Sequence, residues 1–136
     1  GGCLESIYDI FDNARFKDTV SLCEKYNLFP KLEDWKGKIL LLETSEEKTA
    51  PELFRKMINV LKDYGLFDVL TGVLVGKPQN EIYYDEYKSI LLEELSDKRE
   101  SVVYNLNVGH ATPRCIIPFG VEAEVNVKEQ VITLNY

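Results

Sequence analysis

Apolar residues early in the chain fall at Leu4, Ile7, Tyr8 and Phe11, the spacing of one helical face, and predict a helix over 4–11. A weaker helical pattern covers 14–26, and 27–35, with Pro30 and mixed charge, reads as a connection. Residues 38–43 (Lys-Ile-Leu-Leu-Leu-Glu) form a short apolar run bounded by Gly37 and a polar cluster, the pattern of a strand covered on both faces. Pro51 suits a first helical turn. Leu53, Phe54, Met57, Leu61 and Tyr64 follow at helical spacing until Gly65 supplies a stop. Gly72–Gly76 reads as a second buried strand. A helix over 84–95 carries Tyr87, Ile90, Leu91 and Leu95 on one side, with Glu93 and Glu94 on a solvated face. A strand over 101–106 leads into Asn107-Val108-Gly109-His110. Three further short strands are predicted at 115–119, 121–125 and 131–134, the last two alternating as a hairpin with Glu122 and Glu124 on its wet face. βαβ units followed by an antiparallel tail predict a single α/β domain over 1–136: a mixed sheet, packed helices and a C-terminal β-hairpin.

Composition says that this pattern can close on a core, since 45% of the 136 residues are hydrophobic. Acidic residues outnumber basic ones 23 to 16, for a net charge of -7. That balance opposes a nucleic-acid partner, which needs a basic face, and a polybasic membrane anchor. The longest apolar run, Ile39 to Leu42, is far short of the roughly 20 residues of a membrane span. Cys3, Cys23 and Cys115 are odd in number and scattered, which fits a reducing compartment and a cytoplasmic location. With His110 the only histidine, a Cys/His zinc site would need every candidate in the chain, so no metal or other cofactor is expected. The chain opens on Gly1-Gly2-Cys3, its one methionine is Met57, and no charged-then-apolar leader is visible. The expectation is a removed initiating segment or a piece of a longer polypeptide.

Two residues stand where chemistry gathers. Glu43 ends the first buried strand, where strand ends open into a crevice, although a carboxylate there can equally just solvate the turn into Thr44-Ser45. His110 lies between Gly109 and Ala111-Thr112-Pro113 just past a strand; it is either a proton carrier in a shaped loop or a lone surface histidine. Gly1-Gly2 allows a nest or close-approach turn, with a cloning remnant as the alternative. Gly72–Gly76 lacks the Gly-Lys-Ser/Thr ending of a phosphate loop. A Cys115/His110 thiol pair is conceivable, against Cys115 packing as a small hydrophobe at the head of an apolar run. Trp35 beside Gly37 reads as a packing aromatic at the domain edge.

Three blocks, in order, carry a family resemblance. They are Gly1-Gly2-Cys3-Leu4; Asp34-Trp35-Lys36-Gly37-Lys38 running through Ile39-Leu40-Leu41-Leu42 to Glu43 with a helix after it; and Gly72 to Lys77, then Gly109-His110, then Pro118-Phe119-Gly120 and a closing hairpin. Together the chain resembles the C-terminal domain of the LD-carboxypeptidase and microcin-immunity peptidases, serine hydrolases with a Ser-His-Glu triad. The Trp-Lys-Gly-Lys version is the more similar to the microcin-immunity branch. The resemblance implies a swivelling β/β/α domain with Glu43 as triad carboxylate and His110 as triad base. It also implies substrate contacts at Gly1, Gly2 and Cys3, where Cys3 stands in place of the family's Asn. The family's nucleophilic serine and oxyanion-hole backbone belong to a preceding N-terminal domain, so neither Ser6 nor Ser45 is assigned that part.

The implied partners are a small peptide or peptidyl-nucleotide substrate, the N-terminal domain, and a second copy of the chain, because separation from that domain would bare apolar surface. A stand-alone binding domain of the same fold, without catalysis, is the alternative reading.

Overall fold

The computed structural model describes residues 1–98 and 101–135, and these form three layers. The elements run β1 (Gly2–Cys3), α1 (Leu4–Tyr8), α2 (Thr19–Tyr26), α3 (Leu32–Trp35), β2 (Ile39–Glu43) and α4 (Pro51–Asp63). After these come β3 (Gly72–Gly76), α5 (Tyr84–Glu94), β4 (Ser101–Leu106), β5 (Glu122–Asn126) and β6 (Val131–Asn135). The first four strands form one parallel sheet in the order β1-β2-β3-β4, and β5 with β6 forms an antiparallel hairpin. Both strand directions are therefore present, divided between two ladders.

The two-residue period of a strand explains why β2 and β3 read as unbroken apolar runs. Leu40, Leu42, Val73 and Val75 point to a core built with Phe54, Met57, Ile58 and Leu61 of α4 and Tyr87, Ile90 and Leu91 of α5. Leu41 and Leu74 point the other way, to a smaller core with Val108, Ile117, Val125 and Ile132. Helices thus cover one face of the sheet and the hairpin the other, the two β layers and one α layer that the resemblance implies. Within α4, Pro51 opens the helix, and Gly65 at φ +84° closes it by donating its N–H to the Lys62 carbonyl at 2.9 Å. Glu93 and Glu94 are more than solvated: Arg55 of α4 binds both, at 2.7 Å to Glu93, and ties the two helices together.

Four expectations change. The helix predicted over 4–11 stops at Tyr8, and tight turns carry Phe11 to its place at the core edge. The helix predicted from residue 14 begins at Thr19: Asp12 Oδ1 takes the Ala14 N–H at 2.6 Å in a tight turn, and Asn13 Oδ1 takes the Val20 N–H at 3.0 Å, satisfying a first-turn donor of the shorter helix. The connection over 27–35 holds the one-turn α3, whose Trp35 donates Nε1–H to the Pro30 carbonyl at 3.2 Å and packs near Phe29, at the edge of the core as expected. Residues 115–119 form no strand. Prolines 113 and 118 deny the segment ladder donors, yet it keeps a strand-like alternation, with Ile117 inward and Ile116 94% exposed. The two-residue β1, in turn, has no hydrophobic period to announce it.

Phe54 is 1% exposed and stacks on Tyr87 with ring centroids 4.0 Å apart, which fixes α4 against α5. Phe54→Ala is expected to cost about 3–5 kcal/mol in urea denaturation.

Candidate active site

Parallel pairing brings the ends of β2, β3 and β4 to one edge of the sheet. Leu42 pairs with Val75 and Gly76 with Leu106, so Glu43 and the loop after β4 emerge side by side. Between Leu74 and Gly76 the β3–β4 register slips by one residue, with Asn105 at φ +73°. Such a bulge re-aims the chain that follows it. The chain then turns tightly, Val108 N–H to the Leu106 carbonyl at 2.9 Å, and passes through Gly109 at φ +81° into His110.

Here the two sequence candidates meet. His110 Nδ1 lies 2.7 Å from Glu43 Oε2, and the same oxygen accepts the His110 backbone N–H at 3.2 Å. One carboxylate oxygen therefore fixes both the ring and the backbone of the histidine. Glu43 is buried, whereas the His110 ring is 36% exposed, with Nε2 directed away from the pair and 3.0 Å from Glu46 Oε2. The hydrogen bond to Glu43 holds the His110 imidazole above its ordinary value against the opposing pull of burial, and the charges of Glu43, Glu46 and Glu5 add to it.

Two glycines make room for this contact. A Cβ on Gly109 would come within 2.7 Å of Glu43 Cβ and Cγ, and one on Gly76 within 2.9 Å of Glu43 Cβ and 3.0 Å of the Val108 carbonyl oxygen. The terminal glycines show the close approach that the sequence allowed. A Cβ on Gly1 would run into the Leu41 backbone, and Gly2 has φ +136°. β1 sets Gly2 opposite Leu42 and Cys3 opposite Glu43, so all three candidate substrate residues border the strand that ends in the glutamate. Cys3 donates its thiol to Glu5 at 3.2 Å, and burial pushes that thiol up, away from thiolate.

The thiol pair does not form. Cys115 is exposed, not packed as a small hydrophobe, and donates its thiol to the Asn107 carbonyl at 3.1 Å, while both ring nitrogens of His110 face carboxylates.

Glu5 and Glu46 were missed by sequence reasoning. Glu5, buried in the first turn of α1, accepts the Ser45 N–H at 3.1 Å and the Thr49 hydroxyl at 2.6 Å across 40 or more residues. Glu46 sat unremarked in a polar loop. A Glu beside the Gly-Gly block was the only available hint for the first, and nothing in the spacing marked the second. Among the described residues, no three His, Cys, Asp or Glu side chains are arranged to hold a metal ion, and no helix is long and apolar enough to cross a membrane.

Comparison with known proteins follows the same lines. A family model described as the LD-carboxypeptidase C-terminal domain matches residues 1–125. The chain is 28% identical over 102 residues to a protein of Treponema pallidum (strain Nichols) named as a carboxypeptidase, covering 74% of this chain and 30% of that protein. A similarly named protein of Streptomyces coelicolor is 29% identical over 100 residues, covering 74% and 32%. The chain thus spans about a third of the length of the curated relatives it matches. Among solved structures, an MccF-like protein from Streptococcus pneumoniae in complex with AMP superposes with a TM-score of 0.95 at 61% identity, over 99% of this chain and 39% of that one. A muramoyltetrapeptide carboxypeptidase from Oxalobacter formigenes shares the fold, with a TM-score of 0.56 at 23% identity over 73% of this chain and 36% of that one.

The raised value of His110 has a consequence for stability. The folded chain binds this proton more tightly than the unfolded one, so the contribution is complete below the unfolded value near 6.5 and is lost as pH rises through the raised folded value. In urea denaturation, the stability lost in His110→Gln should be greatest at mildly acidic pH and shrink as pH rises through that window.

Proposed function

The chain belongs to the LD-carboxypeptidase C-terminal domain family, and we propose on that footing that it supplies the base and the carboxylate of a Ser-His-Glu serine hydrolase. The observation that carries this reading is the 2.7 Å contact between His110 Nδ1 and Glu43 Oε2 at the carboxyl edge of the sheet. In the mechanism, Glu43 holds the proton on Nδ1, which leaves the Nε2 lone pair for a serine hydroxyl. His110 takes the hydroxyl proton as the serine oxygen attacks the scissile carbonyl carbon, and Glu43 stabilises the imidazolium that results. The imidazolium then gives that proton to the leaving amine as the amide C–N bond breaks. Water repeats the sequence on the acyl-enzyme, its proton passing to Nε2 and back to the departing serine oxygen.

The serine and the oxyanion donors belong, in this reading, to an N-terminal half outside these 136 residues, and that half is the first partner. Exposed apolar Ile116, between His110 and the hairpin, supports a covering partner, whether the N-terminal half or a second copy of the chain. The substrate is an amide of a small peptide. A peptidyl- or aminoacyl-nucleotide conjugate is favoured over a murein peptide, because the pneumococcal protein 61% identical to this chain was crystallised with AMP. Gly1, Gly2 and Cys3 would border the bound substrate, with Cys3 offering a thiol at 3.2 Å from Glu5.

In the polypeptide that joins both halves, His110→Ala and Glu43→Gln should each lower kcat by about 10³–10⁴ with KM far less affected. Steady-state hydrolysis of an aminoacyl-nucleotide measures this, and full activity in both variants would overturn the assignment. The 136-residue chain by itself should show no turnover of the same compound.

A further inference from the structure

Once Nδ1 is committed to Glu43, Nε2 is the nitrogen that must meet a nucleophile. It faces a second carboxylate instead, with Glu46 Oε2 3.0 Å away. Glu46 is itself exposed, so chance contact of a mobile side chain would be the ordinary explanation for such a distance. The backbone that carries it is pinned on both sides. Ser45 N–H donates to both oxygens of buried Glu5 at 3.1 Å, and Thr49 Oγ1 donates to Glu5 Oε1 at 2.6 Å. Ser45 Oγ also accepts the Glu47 N–H at 3.3 Å, which tightens the turn in which Glu46 is the middle residue.

We propose that Glu46 is a positioning residue for His110: its carboxylate latches the ring by accepting a hydrogen bond from Nε2–H and favours the doubly protonated form, so Nε2 must release that proton to solvent, with Glu46 turning away, before it can accept one from a hydroxyl. This deepens the reading of His110 as a base and rests on it for its catalytic meaning, though the latch itself is a property of this chain. Three charged groups bear on the ring, all of them acidic. Glu43 comes from β2, Glu46 from the loop after it, and Glu5 from α1, while on His110's own loop the Arg114 guanidinium donates to the Gly109 carbonyl at 3.2 Å. Glu43, being buried, sets the tautomer and orientation. Glu46, being exposed, is the one that a substrate or an incoming hydroxyl can displace at small cost.

His110 is the sole histidine, so its imidazole signals need no assignment by mutation. Proton and nitrogen NMR titration of the 136-residue chain should give a lower midpoint in Glu46→Gln than in the parent, together with faster exchange of the Nε2 proton. Glu47→Gln, one residue along the same loop, should titrate like the parent. Glu46→Ala provides the same comparison without an amide that could still accept a hydrogen bond. An unchanged midpoint in both Glu46 variants, or an equal drop in Glu47→Gln, would overturn the proposal.

In the joined polypeptide, Glu46→Gln should move the acid limb of the kcat/KM profile to lower pH. A merely structural residue would depress the profile without moving that limb, which would also overturn the proposal. If His110→Ala remains active, the triad reading fails, while the NMR result still decides the latch.

Discussion

Parallel pairing of three short strands is the constraint on which everything else in this domain depends. Parallel strands all end on the same side, so β2, β3 and β4 deliver Glu43, Gly76 and the turn toward His110 to one edge. An antiparallel arrangement of the same segments would send Gly76 to the opposite end from the glutamate and the histidine. Parallel strands also need crossovers, and α4 and α5 are those crossovers, which is why the larger core lies on their side of the sheet. The hairpin covers the other face, and Val125 and Ile132 complete the smaller core beneath Leu41 and Leu74.

On that scaffold the electrostatics are layered by depth. Glu5 and Glu43 are buried, and each is committed to donors: Glu5 to Ser45, Thr49 and Cys3, and Glu43 to the backbone and ring of His110. Burying a carboxylate is costly unless it is hydrogen-bonded, and both meet that condition. Glu46 lies outermost, on the solvent side of the ring. The histidine therefore has one partner that cannot leave and one that can.

How much of this was legible follows from what each signal encodes. Strands buried on both faces announce themselves as apolar runs, so Ile39–Glu43 and Gly72–Gly76 could be read almost to the residue, and with them the position of Glu43. His110 was visible because Gly and Pro bracket it. The start of α2 was not, since nothing in periodicity says that Asp12 will bind the Ala14 N–H in a turn or that Asn13 will reach the first turn of α2 at Val20. Residues 115–119 carry the alternation of a strand but lack a partner to pair with, and alternation alone does not supply one. Glu5 and Glu46 escaped for a common reason: their parts arise from contacts across some 40 to 65 residues of chain, which local spacing does not encode.

The glycines at 76 and 109 constrain how this site can change over generations. Each fills the space beside Glu43 by having no side chain, so the volume of the acid and the bareness of its neighbours are one quantity shared among three positions. Single replacements at any of them meet the other two unchanged. A shorter acid at 43 would retreat from His110, and a larger residue at 76 or 109 would push the carboxylate off it. Variation here is open only to coordinated changes, which makes the pair of glycines a record of the glutamate's size written elsewhere in the chain.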